Sequence, residues 1–89
     1  MTDMIPTFTE NAWEDYLYWQ EIDKKITKKI NSLIKEIKRT PFEGASQPEP
    51  LKYDLSGCWS RRIFNEHRLV YQIIENELRI YSCRYHYDL

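Results

Sequence analysis

The clearest periodicity in the chain lies between residues 24 and 39, where Ile26, Ile30, Leu33, Ile34 and Ile37 recur at intervals of 4, 3, 1 and 3. That spacing places all five on one side of a 3.6-residue turn, so the segment is predicted as an amphipathic helix facing a core. Its other faces carry Lys24, Lys25, Lys28, Lys29, Lys35, Lys38 and Arg39. Thr40-Pro41 ends it, because a proline ring pushes the preceding residue out of the helical region. Asp23 is positioned to cap its first turn, and Glu21-Ile22-Asp23 marks the break from an earlier helix. That earlier helix is predicted to begin after Thr9, whose hydroxyl can cap it, with Glu10 suited to its positive end. Trp13, Tyr16 and Leu17 follow at helical spacing as its core-facing stripe, while Glu14, Asp15 and Tyr18 point elsewhere. Before it, Ile5-Pro6-Thr7-Phe8 reads as a short strand.

The pattern changes after the second helix. Residues 41–50, PFEGASQPEP, hold three of the four prolines and one of the two glycines, and so form a loop. Beyond them Leu51 to Leu55, Trp59 to Phe64, Arg68 to Ile74 and Leu78 to Tyr85 are rich in β-branched and aromatic residues, and each reads as a strand. Ser56-Gly57, Asn65-Glu66-His67 and Glu75-Asn76-Glu77 separate them. Connections this short imply antiparallel hairpins, since parallel strands need long crossovers. The predicted class is α+β: an amino-terminal strand and two helices packed on one face of a mostly antiparallel sheet, whose other face stays wet and free to carry chemistry.

Length adds that residues 1–89 form a single domain, because a chain this short fills one hydrophobic core. A composition of 42% hydrophobic and 15% aromatic residues is that of a folded protein. No apolar run approaches the roughly 20 residues that span a bilayer, and MTDMIPTFTE lacks a basic region followed by an apolar one. No membrane association and a cytoplasmic location are therefore expected. Cys58 and Cys83 are too few for a disulfide framework and read as buried free thiols. The net charge of −1 conceals a marked segregation. Residues 1–23 carry six acids and no base, residues 24–39 seven bases and one acid, and the rest six bases and seven acids. The basic stripe can supply a local field for phosphate or for an acidic partner.

Side chains with catalytic potential gather late in the chain: Glu49, Lys52, Arg61, Arg62, His67, Arg68, Arg84, His86 and Tyr87. Strand alternation turns Arg61 and Arg62 to opposite faces, and the hairpin sets Arg68 across from Arg62, so two arginines converge. A carboxylate, arginines and a histidine are the parts needed to cleave RNA through its own 2′-hydroxyl. Each also has a plainer explanation. Glu49 between prolines suits a solvated loop acid, Arg61, Arg62 and Arg68 suit surface ion pairs with Glu66 or Glu75, and His67 suits a structural place in a turn. Two histidines and two cysteines without paired spacing match no common zinc pattern, and two glycines in all leave no phosphate-binding glycine loop. These residues alone leave open both an enzyme and a basic binding module.

The stretches WEDYLYWQE (13–21), KKINSLIKEI (28–37), TPFEG (40–44), PEPLKYDLSGCWSRRI (48–63), EHRLVY (66–71) and CRYHY (83–87) together resemble the YoeB toxins of the RelE superfamily. The match runs through nearly the whole chain in order. The resemblance implies a microbial-ribonuclease-like fold and a ribosome-dependent endonuclease that needs no cofactor or metal and cuts mRNA in the A site. It also implies neutralisation by a YefM-type antitoxin, homodimer formation, and contact with operator DNA only through the antitoxin complex. By the same resemblance Glu49 is the general base, Arg68 the transition-state stabiliser, His86 the general acid, and Tyr87 their companion. Lys52 and Arg62 would contact phosphate, and Lys28 and Lys29 of the basic helix would dock on ribosomal RNA. Cys58 departs from the pattern where a larger apolar residue is expected. Of Trp13, Trp59, Tyr71 and Tyr81, most are expected in the core.

Overall fold

The computed structural model describes residues 4–85. Its elements are β1 (Ile5–Phe8), α1 (Glu10–Ile22), α2 (Lys24–Arg39), β2 (Glu49–Pro50), a 3-10 turn (Tyr53–Leu55), β3 (Trp59–Phe64), β4 (His67–Ile74) and β5 (Glu77–Ser82). Helix boundaries follow from local hydrogen bonding. The Thr9 hydroxyl accepts the Ala12 N–H at 3.1 Å and starts α1. Asp23 then serves two helices: its N–H closes α1 on the Trp19 carbonyl at 2.8 Å, and its carboxylate accepts the Lys25 N–H at 3.0 Å to open α2. Thr40 caps the far end, where the chain meets Pro41.

The sheet has the order β1-β5-β4-β3-β2, antiparallel except where β1 lies parallel to β5. Thr7 Oγ1 and Arg79 both donate to the Glu77 carboxylate, at 2.7 and 2.8 Å, and tie the parallel edge together. Those two hydrogen bonds, Thr7 first, hold the Glu77 carboxyl below its ordinary range. The β3–β4 and β4–β5 loops are two residues each, and Asn65 enters the first in the left-handed region at φ 50°, which asparagine tolerates. Both helices cover one sheet face. Ile26, Ile30, Leu33 and Ile37 of α2 are buried there with Ile63, Leu69, Tyr71, Leu78 and Ile80, and Ile34 packs at the margin.

Several expectations need correction. The loop expected over residues 41–50 ends in a short strand at Glu49–Pro50, and the last strand, expected to run to Tyr85, ends at Ser82. In α1 the buried residues are Ala12 and Trp19, whereas Trp13 is 48% and Leu17 42% exposed, with Tyr16 and Tyr18 half-buried. Aromatic and apolar residues occur on several faces of α1, so its composition does not single out one stripe. Trp13 packs instead edge-on against Phe8 and stacks on Tyr16. The stretch from Leu51 to Leu55 is likewise no strand. Pairing with β3 ends one hydrogen bond past Pro50, where the Leu51 N–H donates to the Cys58 carbonyl at 2.9 Å, and the chain turns back through Tyr53 at φ 57° and Gly57 at φ 96°. Leu51, Leu55 and Cys58 thereby cover Val70 and Tyr81 on the otherwise open sheet face, a second and smaller apolar cluster.

Candidate active site

Strand register assembles the candidate site on the face turned away from the helices. Glu49 of β2 pairs with Ser60 of β3, and two residues along β3 Arg62 pairs with Arg68 of β4. Residues opposite one another, or two apart on a strand, share a face, so Glu49, Arg62 and Arg68 look the same way. Two strand spacings and two residues of rise separate the Cα atoms of Glu49 and Arg68 by about 12 Å. Their side chains together can reach across that distance. Glu49 and Arg62 are exposed, and Arg68 is half-buried. Its guanidinium leans on the hairpin turn, Nη1 donating to the carbonyls of Asn65 at 2.6 Å and His67 at 3.2 Å. Two arginines directly opposite on a strand pair repel one another, and a bound anion relieves that repulsion. Lys52 is exposed just beyond β2.

The carboxyl-terminal segment leaves β5 and returns beside Arg68. The Arg68 N–H donates to the Tyr85 carbonyl at 3.0 Å, and the Tyr85 N–H donates to Nδ1 of His67 at 2.7 Å. Trp19 Nε1 donates to the Cys83 carbonyl at 2.8 Å, and the Cys83 N–H donates to the Asp15 carboxylate at 3.1 Å. Burial raises the Asp15 carboxyl, against the Cys83 hydrogen bond and the Arg84 charge. The Arg84 guanidinium lies 3.5 Å from the ring centroid of Tyr18. His86 and Tyr87, expected in the site, lie outside the described residues.

Lys28 and Lys29 do not join this group. They are exposed on α2, which covers the opposite sheet face; Lys28 lines a cleft with Gln20, Lys24 and Thr27, and Lys29 donates to Ser46 Oγ at 3.0 Å. His67 belongs to β4 rather than to a turn, paired with Phe64. Arg61 does not form the expected surface ion pair. It is fully buried, with Nε donating to the Tyr71 hydroxyl, Nη1 to the Ala45 carbonyl, and Nη2 to the carbonyls of Thr40 and Glu43. Tyr71 adds a bond of 2.6 Å to the Pro41 carbonyl, and burial pushes its phenol up. Arg61 and Tyr71 therefore fix the loop that leads to Glu49. The alternation Trp59-Arg61-Ile63 was the available signal, since it puts the arginine among core residues. Tyr53 stands 78% exposed next to Lys52.

Among the described residues no helix is long and apolar enough to cross a membrane. The same arrangement of helices and sheet occurs in the toxin–antitoxin complex RelBE2 from Mycobacterium tuberculosis, at 21% identity and a TM-score of 0.70 over 94% of this chain and 99% of that one. The fold is thus that of RelE-like toxins. Much nearer is a YoeB/ParE toxin from Agrobacterium tumefaciens, 48% identical with a TM-score of 0.90 over 94% of this chain and all of that one. The YoeB dimer from Staphylococcus aureus is 50% identical, with a TM-score of 0.89 over 97% and 100%. Toxin YoeB of Escherichia coli strain K12 is 64% identical over 80 residues, 90% of this chain and 95% of its own. Residues 8–87 match the YoeB-like toxins of bacterial type II toxin–antitoxin systems, and the chain belongs to that family.

Proposed function

We propose that this toxin cleaves mRNA in the A site of the ribosome and so halts translation. Glu49 takes the proton from a 2′-hydroxyl, and the freed oxygen attacks the adjacent phosphorus. Arg68, with Arg62 and Lys52, neutralises the charge that builds on the phosphate oxygens. The bond from phosphorus to the 5′-oxygen breaks, and His86 gives that oxygen its proton, with Tyr87 alongside. One fragment ends in a 2′,3′-cyclic phosphate and the other in a 5′-hydroxyl, so protons and bonds balance without a cofactor.

The observation that carries this reading is the register that turns Glu49, Arg62 and Arg68 to one open face, with the segment leading to His86 tied to the backbone of Arg68. A YefM-type antitoxin is the proposed inhibitor, as in the heterotetrameric YoeB–YefM complex from Staphylococcus aureus, which is 50% identical to this chain. The toxin would pair with itself and reach operator DNA only with that antitoxin, in repression of its own transcription. Mapping of 5′ ends on translated mRNA tests the roles. Glu49→Gln, Arg68→Ala and His86→Gln should each lower the cleavage rate by roughly 10²- to 10⁴-fold. Equal cleavage by the parent and all three variants would refute them.

A further inference from the structure

We propose that His67 is a positioning residue of this reaction: its imidazole holds the backbone of Tyr85 in a left-handed turn and so sets the point from which the chain continues to His86. The inference rests on the reading of His86 as the proton donor.

Tyr85 stands at φ 66°, a left-handed conformation that a residue other than glycine seldom keeps unless its surroundings impose it. The residue is 55% exposed, its ring touching His67 and the Arg84 guanidinium at 4.6 Å. Both of its backbone polar groups are fixed by consecutive residues of β4. The N–H donates to His67 Nδ1 at 2.7 Å, and the carbonyl accepts the Arg68 N–H at 3.0 Å. The first of these bonds is made by a side chain, so it depends on which residue occupies position 67.

The imidazole is itself held in place. Its side chain is 14% exposed, its ring meets Trp19 edge to face at 4.9 Å, and it lies tilted against the Tyr85 ring at 5.7 Å. Trp19 in turn donates to the Cys83 carbonyl, so the two packed rings grip the segment at residues 83 and 85. Because Nδ1 accepts, the ring proton resides on Nε2, which faces the Glu66 carboxylate at 3.9 Å. A phenyl ring would fill the same space without an acceptor, whereas the asparagine amide oxygen stands near the place of Nδ1 and that of glutamine does not. Proton transfer is sensitive to small misplacements, and a shift of about 1 Å in a reacting group can lower a rate about 100-fold.

The test compares the full-length parent with His67→Phe, His67→Asn, His67→Gln and His86→Gln on ribosomes programmed with a defined mRNA. It reads kcat, KM, thermal stability and exchange of the Tyr85 amide. His67→Phe should lower kcat at least about tenfold while KM stays within about twofold, with the Tyr85 amide losing protection. His67→Asn should restore both, which a space-filling role would not. A folded His67→Phe protein with parental kcat overturns the proposal, and so does a slow one that asparagine fails to rescue. If the phenylalanine variant does not fold, the amide pair decides: asparagine faster than glutamine supports the role, and equal rates overturn it. Full activity in His86→Gln would remove the proton-donor reading and this proposal with it, whereas an inactive His86→Gln beside a fully active His67→Phe would overturn the positioning role alone.

Discussion

The two cysteines show how burial can silence a reactive group. Cys83 is fully enclosed between α1 and the sheet, its Sγ donating to the Ala12 carbonyl at 3.7 Å. Burial, aided by the nearby Asp15 carboxylate, pushes its thiol up to about 12. At pH 8 only about one molecule in 10⁴ then carries the thiolate at this position, and the thiolate is the nucleophile. Burial also raises Cys58, which packs with Leu51 and Val70 as the small hydrophobe its sequence context implied. Folded protein treated with iodoacetamide at pH 8 should therefore keep its mass, and denatured protein should gain two adducts. An adduct on the folded chain would contradict this account of both sites. Arg61 illustrates the reverse case, a charge kept buried because acceptors surround it. Alternation along β3 was enough to separate Arg61 from Arg62, but the carbonyls that receive its guanidinium come from residues 40–45, distant in sequence, and backbone acceptors leave no side-chain signal of the contact.

Elements whose signals are local matched the sequence expectation, and those that depend on tertiary partners did not. A single apolar stripe with an aspartate before it and a proline behind it defines α2, so its limits and buried face follow directly. The hairpins of β3, β4 and β5 were legible for a similar reason, and with them the convergence of Arg62 and Arg68. The segment after Pro50 was not. Leu51 and Leu55 are four apart and belong to a turn that folds over Val70, a partner that alternation within the segment cannot reveal. Between α2 and β2 the loop has no regular structure, and the buried arginine supplies its rigidity. Arg61→Lys retains the charge but loses the planar fork that serves Tyr71 and three carbonyls at once. We expect it to lower stability by about 2–4 kcal/mol in chemical denaturation and to slow cleavage through Glu49, to which the loop leads. A change below about 0.5 kcal/mol would show that the fork is dispensable.

On the scale of the whole molecule, the site and the strongest charge lie on opposite sides. Glu49, Arg62 and Arg68 occupy the open sheet face, while Lys24, Lys25, Lys28, Lys29 and Lys35 are exposed on α2, behind the other face. Under the proposed mechanism an RNA segment bound at the open face does not thereby meet α2, so the two surfaces would contribute to different steps. The basic helix would act in attraction to ribosomal RNA, a long-range effect that salt screens, and the open face in chemistry, where groups in contact are screened much less. This division makes the two separable by kinetics. Lys28→Glu combined with Lys29→Glu should raise KM for the ribosome about tenfold at low salt and leave kcat near parental. It should also flatten the dependence of log KM on log salt concentration, by about one unit of slope for each charge that had displaced a counterion. Cleavage assays at 50 and 200 mM salt would measure both effects. A fall in kcat with an unchanged salt slope would place the lysines in the chemistry instead, which the sheet lying between them and Arg68 makes difficult to accommodate.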